Sequence, residues 1–139
     1  MHEPSTLPVM VIDDEPHLRI TASQTLELAG YTPYCFESAE QALAALTPNF
    51  PGVIVSDIRM PGMDGMSLLH ELHNRDATLP IILITGHGDI STAVEAMRAG
   101  AWDFLEKPFA GDQLLDVVRR GIEKRQLSLE NHRLKAELE

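Results

Sequence analysis

Val53-Ile54-Val55-Ser56-Asp57-Ile58-Arg59-Met60-Pro61-Gly62-Met63-Asp64-Gly65 is the stretch that decides the fold. Its apolar start reads as a short buried strand, so Asp57 stands where a strand ends. Pro61-Gly62 and Asp64-Gly65 force a turn, and Asp64 is placed to cap a helix that starts near Met66. An acid at a strand's carboxyl end, beside a loop that exposes it, is where open α/β sheets put their chemistry. The plainer reading is a turn and a helix cap, with Asp57 merely solvated. The flanking sequence favours the first.

Outward from this stretch the chain alternates strand and helix five times. Upstream, Val9-Met10-Val11-Ile12 is a first strand that ends at Asp13-Asp14. Glu15-Pro16 opens the first helix, since proline suits a first turn. Leu18, Ala22, Leu26 and Ala29 give that helix its buried face, and Gly30 stops it. Thr32 to Phe36 is the second strand, and Ser38 with Gln41 fits a capping box. Ala42, Leu43 and Leu46 turn to the core in the second helix, which Pro48 ends. Downstream, Met66, Leu69 and Leu72 face inward in the third helix. Ile81-Ile82-Leu83-Ile84 is the fourth strand, ending at Thr85. The flexible Gly86-His87-Gly88 leads to Asp89, which caps a fourth helix that stops at Gly100. Trp102 to Leu105 is the fifth strand, ending at Lys107-Pro108. Asp112 starts the fifth helix, with Leu115, Val118 and Ile122 inward.

Strands one, three and four are continuous apolar runs, as parallel strands covered on both faces are. Right-handed crossovers then give an α/β fold: a flavodoxin-like, doubly wound, five-stranded parallel sheet of order 2-1-3-4-5, with a C-terminal helical extension. The expected organisation is a disordered N-terminus over 1–6, one domain over 7–122 and a helical or coiled-coil linker over 123–139.

Composition fits one globular domain. Hydrophobic residues make up 44% of the 139, enough for a core at this length. No apolar run approaches the roughly 20 residues that span a bilayer, and the start lacks a signal peptide's basic and apolar regions. A cytoplasmic protein without membrane contact is expected. The single Cys35 excludes an intramolecular disulfide, and its place in Tyr34-Cys35-Phe36 predicts a buried, inert thiol. The net charge of -10 is uneven. Residues 1–118 carry five Lys and Arg against 17 Asp and Glu, whereas residues 119–139 carry six against four. The acidic body should repel nucleic acid, and the tail is too weakly basic for direct DNA contact.

The strand order gathers Asp13, Asp14, Asp57, Thr85 and Lys107 at one edge of the sheet. Three carboxylates in one pocket repel one another and raise each other's pKa. A divalent cation removes that conflict, and hard oxygen donors without clustered Cys or His favour Mg²⁺. With Lys107 as a fixed positive charge and Thr85 as a hydroxyl donor, the set is equipped to receive a phosphoryl group on Asp57 as an acyl phosphate. The alternative is five unrelated polar strand ends.

At this point the residues resemble a known family. The pair Asp13-Asp14, the run Asp57-Ile58-Arg59-Met60-Pro61, Thr85 and Lys107-Pro108 look like the receiver domain of two-component response regulators, over residues 7 to about 122. The resemblance implies that Asp57 accepts phosphate from a phosphohistidine on a sensor histidine kinase. It implies Asp14 as a direct Mg²⁺ ligand, Asp13 acting mainly through water, and the backbone carbonyl of Arg59 as a further ligand. Thr85 and Lys107 bind phosphoryl oxygens, Lys107-Pro108 is cis, and Phe104 takes the switch-aromatic position, where many receivers carry Tyr. Phe104 packing alone is the other reading of that residue.

Thr85-Gly86-His87-Gly88-Asp89 is similar to the nitrogen-regulator class, whose members activate sigma-54 promoters, and most similar to C4-dicarboxylate-transport regulators. Nitrogen-fixation regulators share that loop but carry a helix-turn-helix output. Leu129-Glu130-Asn131-His132-Arg133-Leu134 resembles the linker that precedes an ATPase domain in the C4-dicarboxylate class. In this tail, Leu127, Asn131, Leu134 and Leu138 recur at spacings of four, three and four, a heptad seam with Leu129 outside it. The reading is a homodimer through residues 123–139, supplemented by the face of helices four and five. Phosphorylation then switches a transcriptional output.

Two other classes fit less well. A small Mg-dependent phosphatase of the haloacid dehalogenase type also uses a nucleophilic Asp, but in an Asp-x-Asp pattern after strand one. Here that strand ends in adjacent acids, and the chain has no room for a cap domain. A flavodoxin-like cofactor binder would need a glycine-rich phosphate loop after strand one.

Overall fold

The computed structural model of the protein describes residues 7–86 and 88–138. The expected disordered segment 1–6 and His87 of the expected glycine loop lie outside the described residues. Ten elements follow in order: β1 Pro8–Ile12, α1 Pro16–Leu28, β2 Thr32–Phe36, α2 Ala39–Ala45, β3 Val53–Asp57, α3 Gly65–Arg75, β4 Ile81–Thr85, α4 Ile90–Arg98, β5 Asp103–Glu106 and α5 Gly111–Leu138. The five strands form one sheet of order β2-β1-β3-β4-β5, every pair parallel. No helix among the described residues is long and apolar enough to cross a membrane.

Side chains alternate across each strand, and this sorts the core into two layers. Met10, Ile12, Ile54, Ile81 and Leu83 face the side covered by Ala42 of α2, Leu68, Leu69 and Leu72 of α3, and Ala96 of α4. Val9, Val11, Val55, Ile82 and Ile84 face the side covered by Ala22 and Leu26 of α1 and by Leu114, Val118 and Ile122 of α5. Each fully buried Leu or Ile contributes about 1.5–3 kcal/mol relative to exposure, so the central strands are the anchor of the fold.

Helix ends follow the local chemistry. Asp64 Oδ1 accepts from Ser67 N at 2.9 Å at the start of α3. Ser38 Oγ accepts from Gln41 N at 3.2 Å at the start of α2, while Gln41 Oε1 reaches back to Glu37 N at 3.3 Å. At the end of α1, Gly30 takes φ +95°. That left-handed turn lets Gly30 N and Tyr31 N donate to the Glu27 and Leu26 carbonyls, which a side chain would strain.

Several expectations shift. Ala29 is exposed, because it caps α1 rather than facing the sheet. Leu68 joins Leu69 and Leu72 as the buried leucines of α3, with Met66 only half-buried. In α5, Val118 and Ile122 are buried as expected, Leu115 is half-buried, and Leu114 and Val117 join the buried face. Trp102 lies just before β5. Cys35 is exposed, not buried. It sits on β2, an edge strand, with its Sγ 3.9 Å from the Arg19 carbonyl. Partial burial still pushes its thiol pKa up. Finally, α5 crosses residue 122 without a break, and the buried stripe runs on to Arg125, which is 0% exposed. Leu129, placed outside the expected seam, is half-buried.

Gly52 is the tightest backbone position. A Cβ there would sit 1.7 Å from the Pro8 carbonyl oxygen, where β1 and β3 begin. By contrast, a Cβ at Gly86 meets nothing within 4 Å. Gly52→Ala should therefore lose about 3 kcal/mol or more of unfolding free energy, and Gly86→Ala should stay within about 0.5 kcal/mol of the parent. Urea denaturation of the three proteins checks this. Equal midpoints for Gly52→Ala and the parent would contradict the close approach.

Candidate functional site

The site is a product of strand register. Ile12 pairs with Ser56 and Asp57 with Ile84, so the residues after β1 and at the end of β3 meet at the carboxyl edge. Lys107 N donates to the Thr85 carbonyl at 2.9 Å, which carries the residue after β5 to the same place. Lys107-Pro108 is a cis peptide.

Asp13 is fully buried, and Asp57 is 7% exposed, while Asp14 is exposed. Carboxylate oxygens of all three lie within 4.8 Å of one another. Asp57 Oδ2 accepts from Lys107 Nζ at 2.8 Å, and Asp57 Oδ1 accepts from Arg59 N at 3.2 Å. Lys107 Nζ also lies 3.9 Å from Asp13 Oδ2 and 3.7 Å from Glu15 Oε2. Asp13 Oδ1 accepts from Glu15 N at 2.8 Å. Asp13 Oδ2 is buried without a hydrogen-bond partner among the described residues.

The electrostatics follow from that crowding. Burial above all, with the charge of Asp57, raises the Asp13 pKa to about 6, against the pull of the Glu15 amide and Lys107. Burial alone would lower the Lys107 pKa. The hydrogen bond to Asp57 and the charges of Asp57, Asp13 and Glu15 outweigh it and hold Lys107 above its ordinary value. An orphaned buried carboxylate oxygen beside two further carboxylates is a donor set for a hard divalent cation. The residues present fit such an ion.

The other expected residues are placed as follows. Thr85 is buried at the end of β4, but its Oγ1 points to the Leu105 carbonyl at 3.4 Å, rather than to the acids. Arg59 offers its backbone N to Asp57, and its exposed side chain reaches Asp89 Oδ2 at 3.3 Å. Phe104 lies on β5 opposite Leu83 and is 39% exposed, away from the acid cluster. Asp89 sits at the start of α4, yet its carboxylate holds the Thr92 hydroxyl at 2.7 Å rather than a backbone amide.

Sequence reasoning missed Glu15, whose carboxylate shares Lys107. Its position directly after the acid pair was the available signal. It also missed Glu106, whose Oε2 accepts from Gly88 N at 2.6 Å and ties β5 to the loop after β4. A charged residue one place before Lys107 carries no such signal.

Comparison with known proteins adds an independent finding. Residues 9–119 match the sequence family described as the response regulator receiver domain. The C4-dicarboxylate transport transcriptional regulatory protein DctD of Pseudomonas aeruginosa is 58% identical over 130 residues, covering 94% of this chain and 28% of that protein. The DNA-binding transcriptional regulator NtrC of Salmonella typhimurium is 44% identical over 114 residues, covering 82% of this chain and 24% of that protein. Among solved structures, NtrX from Brucella abortus in complex with ADP superposes with a TM-score of 0.83 at 38% identity, over 91% of this chain and 29% of that one. The chain thus spans about a quarter of the length of these relatives.

The buried Asp13 predicts a pH dependence in metal-free, chelator-containing buffer. Its folded-state pKa of about 6 lies above its ordinary 3.8. The fold therefore favours the protonated form. That stabilisation is complete below about pH 4 and is lost as pH rises through 6. Asp13→Asn removes the penalty. Unfolding free energy at pH 7 should rise by on the order of 1–2 kcal/mol over the parent, a value discounted for water at the mouth of the site. The two proteins should converge near pH 4. A gain that is the same at both pH values would show that Asp13 is not held protonated by the fold.

Proposed function

The chain belongs to the response regulator receiver domain family, and from that premise we propose that Asp57 is its phosphoacceptor. The 2.8 Å pairing of Asp57 with Lys107 beside the orphaned Asp13 oxygen carries this reading. Receiver domains are regulatory rather than classical enzymes, and they imply a sensor kinase as partner. The chemistry assigned to this chain is its own phosphorylation and dephosphorylation at Asp57.

A carboxylate oxygen of Asp57 forms a bond to phosphorus as the P–N bond of the kinase's phosphohistidine breaks, and the departing imidazole keeps the electron pair. Asp13, Asp14, Asp57 and the backbone carbonyl of Arg59 would hold Mg²⁺. That ion, when bound, neutralises charge on the carboxylates and on the phosphoryl oxygens. Lys107, which hydrogen-bonds Asp57, supplies a positive charge to a phosphoryl oxygen as well. Against burial, Asp57 above all, with Asp13 and Glu15, holds its pKa above the ordinary value. Thr85 gives up the Leu105 carbonyl and donates its hydroxyl to the phosphoryl group. The loop that follows is held by Glu106 and by the Arg59–Asp89 pair, so a movement of Thr85 reaches α4 and β5. There Ile90, Val94, Met97 and Phe104 are exposed, and this is the face assigned to signalling, with Phe104 as the switch aromatic.

The haloacid dehalogenase reading finds no support. The acid that faces Lys107 is at the end of β3, not β1, and the family match covers most of the chain. The relatives include the C4-dicarboxylate transport transcriptional regulatory protein DctD and the DNA-binding transcriptional regulator NtrC. They support a cytoplasmic switch whose output is sigma-54-dependent transcription, with this segment itself making no DNA contact.

The dimer reading rests on the tail. Leu127, Leu134 and Leu138 are 69%, 44% and 88% exposed on one unpartnered side of α5, at the heptad spacing of a two-stranded seam with Asn131. Glu130 and Lys135 take the g and e positions that meet across a parallel seam, but Arg133 pairs with both Glu130 and Glu137 within the helix, which competes with that contact.

Two measurements test these assignments. Incubation with acetyl phosphate and Mg²⁺ should add one phosphate to the parent by intact mass and none to Asp57→Asn. Stable uptake by the variant at the parent rate would rule out Asp57 as the sole acceptor. Sedimentation equilibrium at micromolar concentration should show a dimer for residues 1–139. A chain ending at Gln126, which keeps the buried Arg125, should be monomeric or at least tenfold weaker in association. Equal association of both would remove the tail from the interface.

A further inference from the structure

Arg125 is the largest fully buried polar side chain among the described residues. It continues the inward stripe of α5 from Val118 and Ile122 at helical spacing. Three acceptors from two separate loops surround it. Nε donates to the Phe50 carbonyl at 2.8 Å, Nη1 to Thr78 Oγ1 at 2.8 Å and Nη2 to Asp76 Oδ2 at 2.7 Å. Phe50 lies just before β3, and Asp76 and Thr78 lie between α3 and β4. These are the amino ends of the strands, opposite the acid cluster.

The receiving loops are themselves braced. Asp76 N donates to the Leu72 carbonyl at 2.8 Å, closing the end of α3. Asp76 Oδ1 accepts from Thr78 N at 3.1 Å and Thr78 Oγ1 at 2.8 Å. The hydrogen bonds from Arg125 and Thr78 outweigh partial burial and hold the Asp76 carboxyl below the ordinary carboxylate range. The acceptors thus stand at fixed positions around a planar, permanently charged group whose donors have fixed directions. Such a group sets the rotation of α5 about its own axis as well as its distance from the sheet.

Beyond Arg125 the attachment thins. Residues 126–138 are exposed apart from the half-buried Ser128 and Leu129. A cavity of about 500 Å³, lined by Leu46, Pro48, Phe50, Thr78, Arg125 and His132 among others, opens between this arm and the loops. Arg125 is the last fully buried contact before the helix leaves the body.

We propose that Arg125 is the positioning residue that fixes the direction of the 126–138 helical arm relative to the receiver body, its guanidinium acting as a three-way clamp on the loops before β3 and β4. With the clamp closed, the arm is a rigid continuation of α5, and a shift of α5 on the sheet reaches the end of the arm undamped. With the clamp open, the C-terminal end of α5 is free to rock on the sheet, and the arm, continuous with it, changes direction with it. The assignment does not rest on Asp57 as phosphoacceptor or on dimer formation.

Electron–electron double resonance on the full chain tests it. Cys35→Ser clears the native thiol. Asn74→Cys on the body and Lys135→Cys on the arm, both exposed positions, take the spin labels. Excess unlabelled protein restricts the reading to distances within one chain. The parent should give one narrow distance distribution. Asp76→Asn and Thr78→Val each remove an acceptor property from the partly exposed rim of the clamp, and each should broaden the distribution at least twofold. Arg125→Met should broaden it further, and Arg125→Lys should fail to restore it, because one amine cannot serve three acceptors at these directions. A loss of stability alone leaves the distance width of the folded fraction unmoved. Should Arg125→Met fail to fold, the Asp76 and Thr78 variants decide the matter. A parent distribution already as broad as theirs, or a narrow one unchanged in Asp76→Asn and Thr78→Val, overturns the assignment.

Discussion

Lys107 holds its amine 2.8 Å from Asp57 at the rim of a pocket where three carboxylates come within 4.8 Å of one another. The arrangement is unfavourable taken alone, since like charges at this distance oppose ionisation. It persists because the central strands are buried on both faces and tolerate no register change. The residues that end β3 and β4 or follow β1 and β5 are delivered to one edge whether or not their charges agree. Lys107, 50 residues from Asp57 in the chain, is the one cation within 4 Å of Asp13, Asp57 and Glu15 among the described ion pairs.

The two ends of the sheet treat buried charge in opposite ways. At the carboxyl edge, Asp13 Oδ2 is left without a hydrogen bond among the described residues, and the site keeps a standing demand for a cation. At the amino edge, Arg125 meets three acceptors and demands nothing. Unsatisfied polar groups mark sites under functional constraint, whereas satisfied buried ions fix geometry. The acid cluster and the Arg125 clamp thus lie at opposite ends of the sheet, and α5 packs across it between them.

The link between chemistry and surface is equally local. The Thr85 hydroxyl rests on the Leu105 carbonyl, the following loop is tied to Glu106, and Asp89 is tied to Arg59 and Thr92. These bonds are few, and the two that tie Gly88 to Glu106 and Asp89 to Arg59 are solvent-exposed, the low-stability kind from which moving parts are drawn. The exposed apolar side chains of α4 and β5 lie directly downstream of them.

Much of this was written in the chain itself. Apolar runs before Asp13, Asp57 and Thr85, alternating with helical patterns, pointed to the parallel sheet, and strand burial with right-handed crossover narrowed its order to the few that bring those residues to one edge. Local capping chemistry at Ser38, Asp64 and Gly30 was legible for the same reason: it depends on neighbours in sequence. What only the tertiary structure decided depends on distant packing. Cys35 sits in an apolar run yet is exposed, since edge position is a property of the sheet and not of the strand. Thr85 is in place while its hydroxyl faces away, since a rotamer answers to the strand beside it. In the sequence Arg125 is only one of the six basic residues of the tail. Its burial needed the Phe50 carbonyl, Asp76 and Thr78, brought from 47 to 75 residues away, and no periodicity in α5 could announce acceptors that lie on other loops.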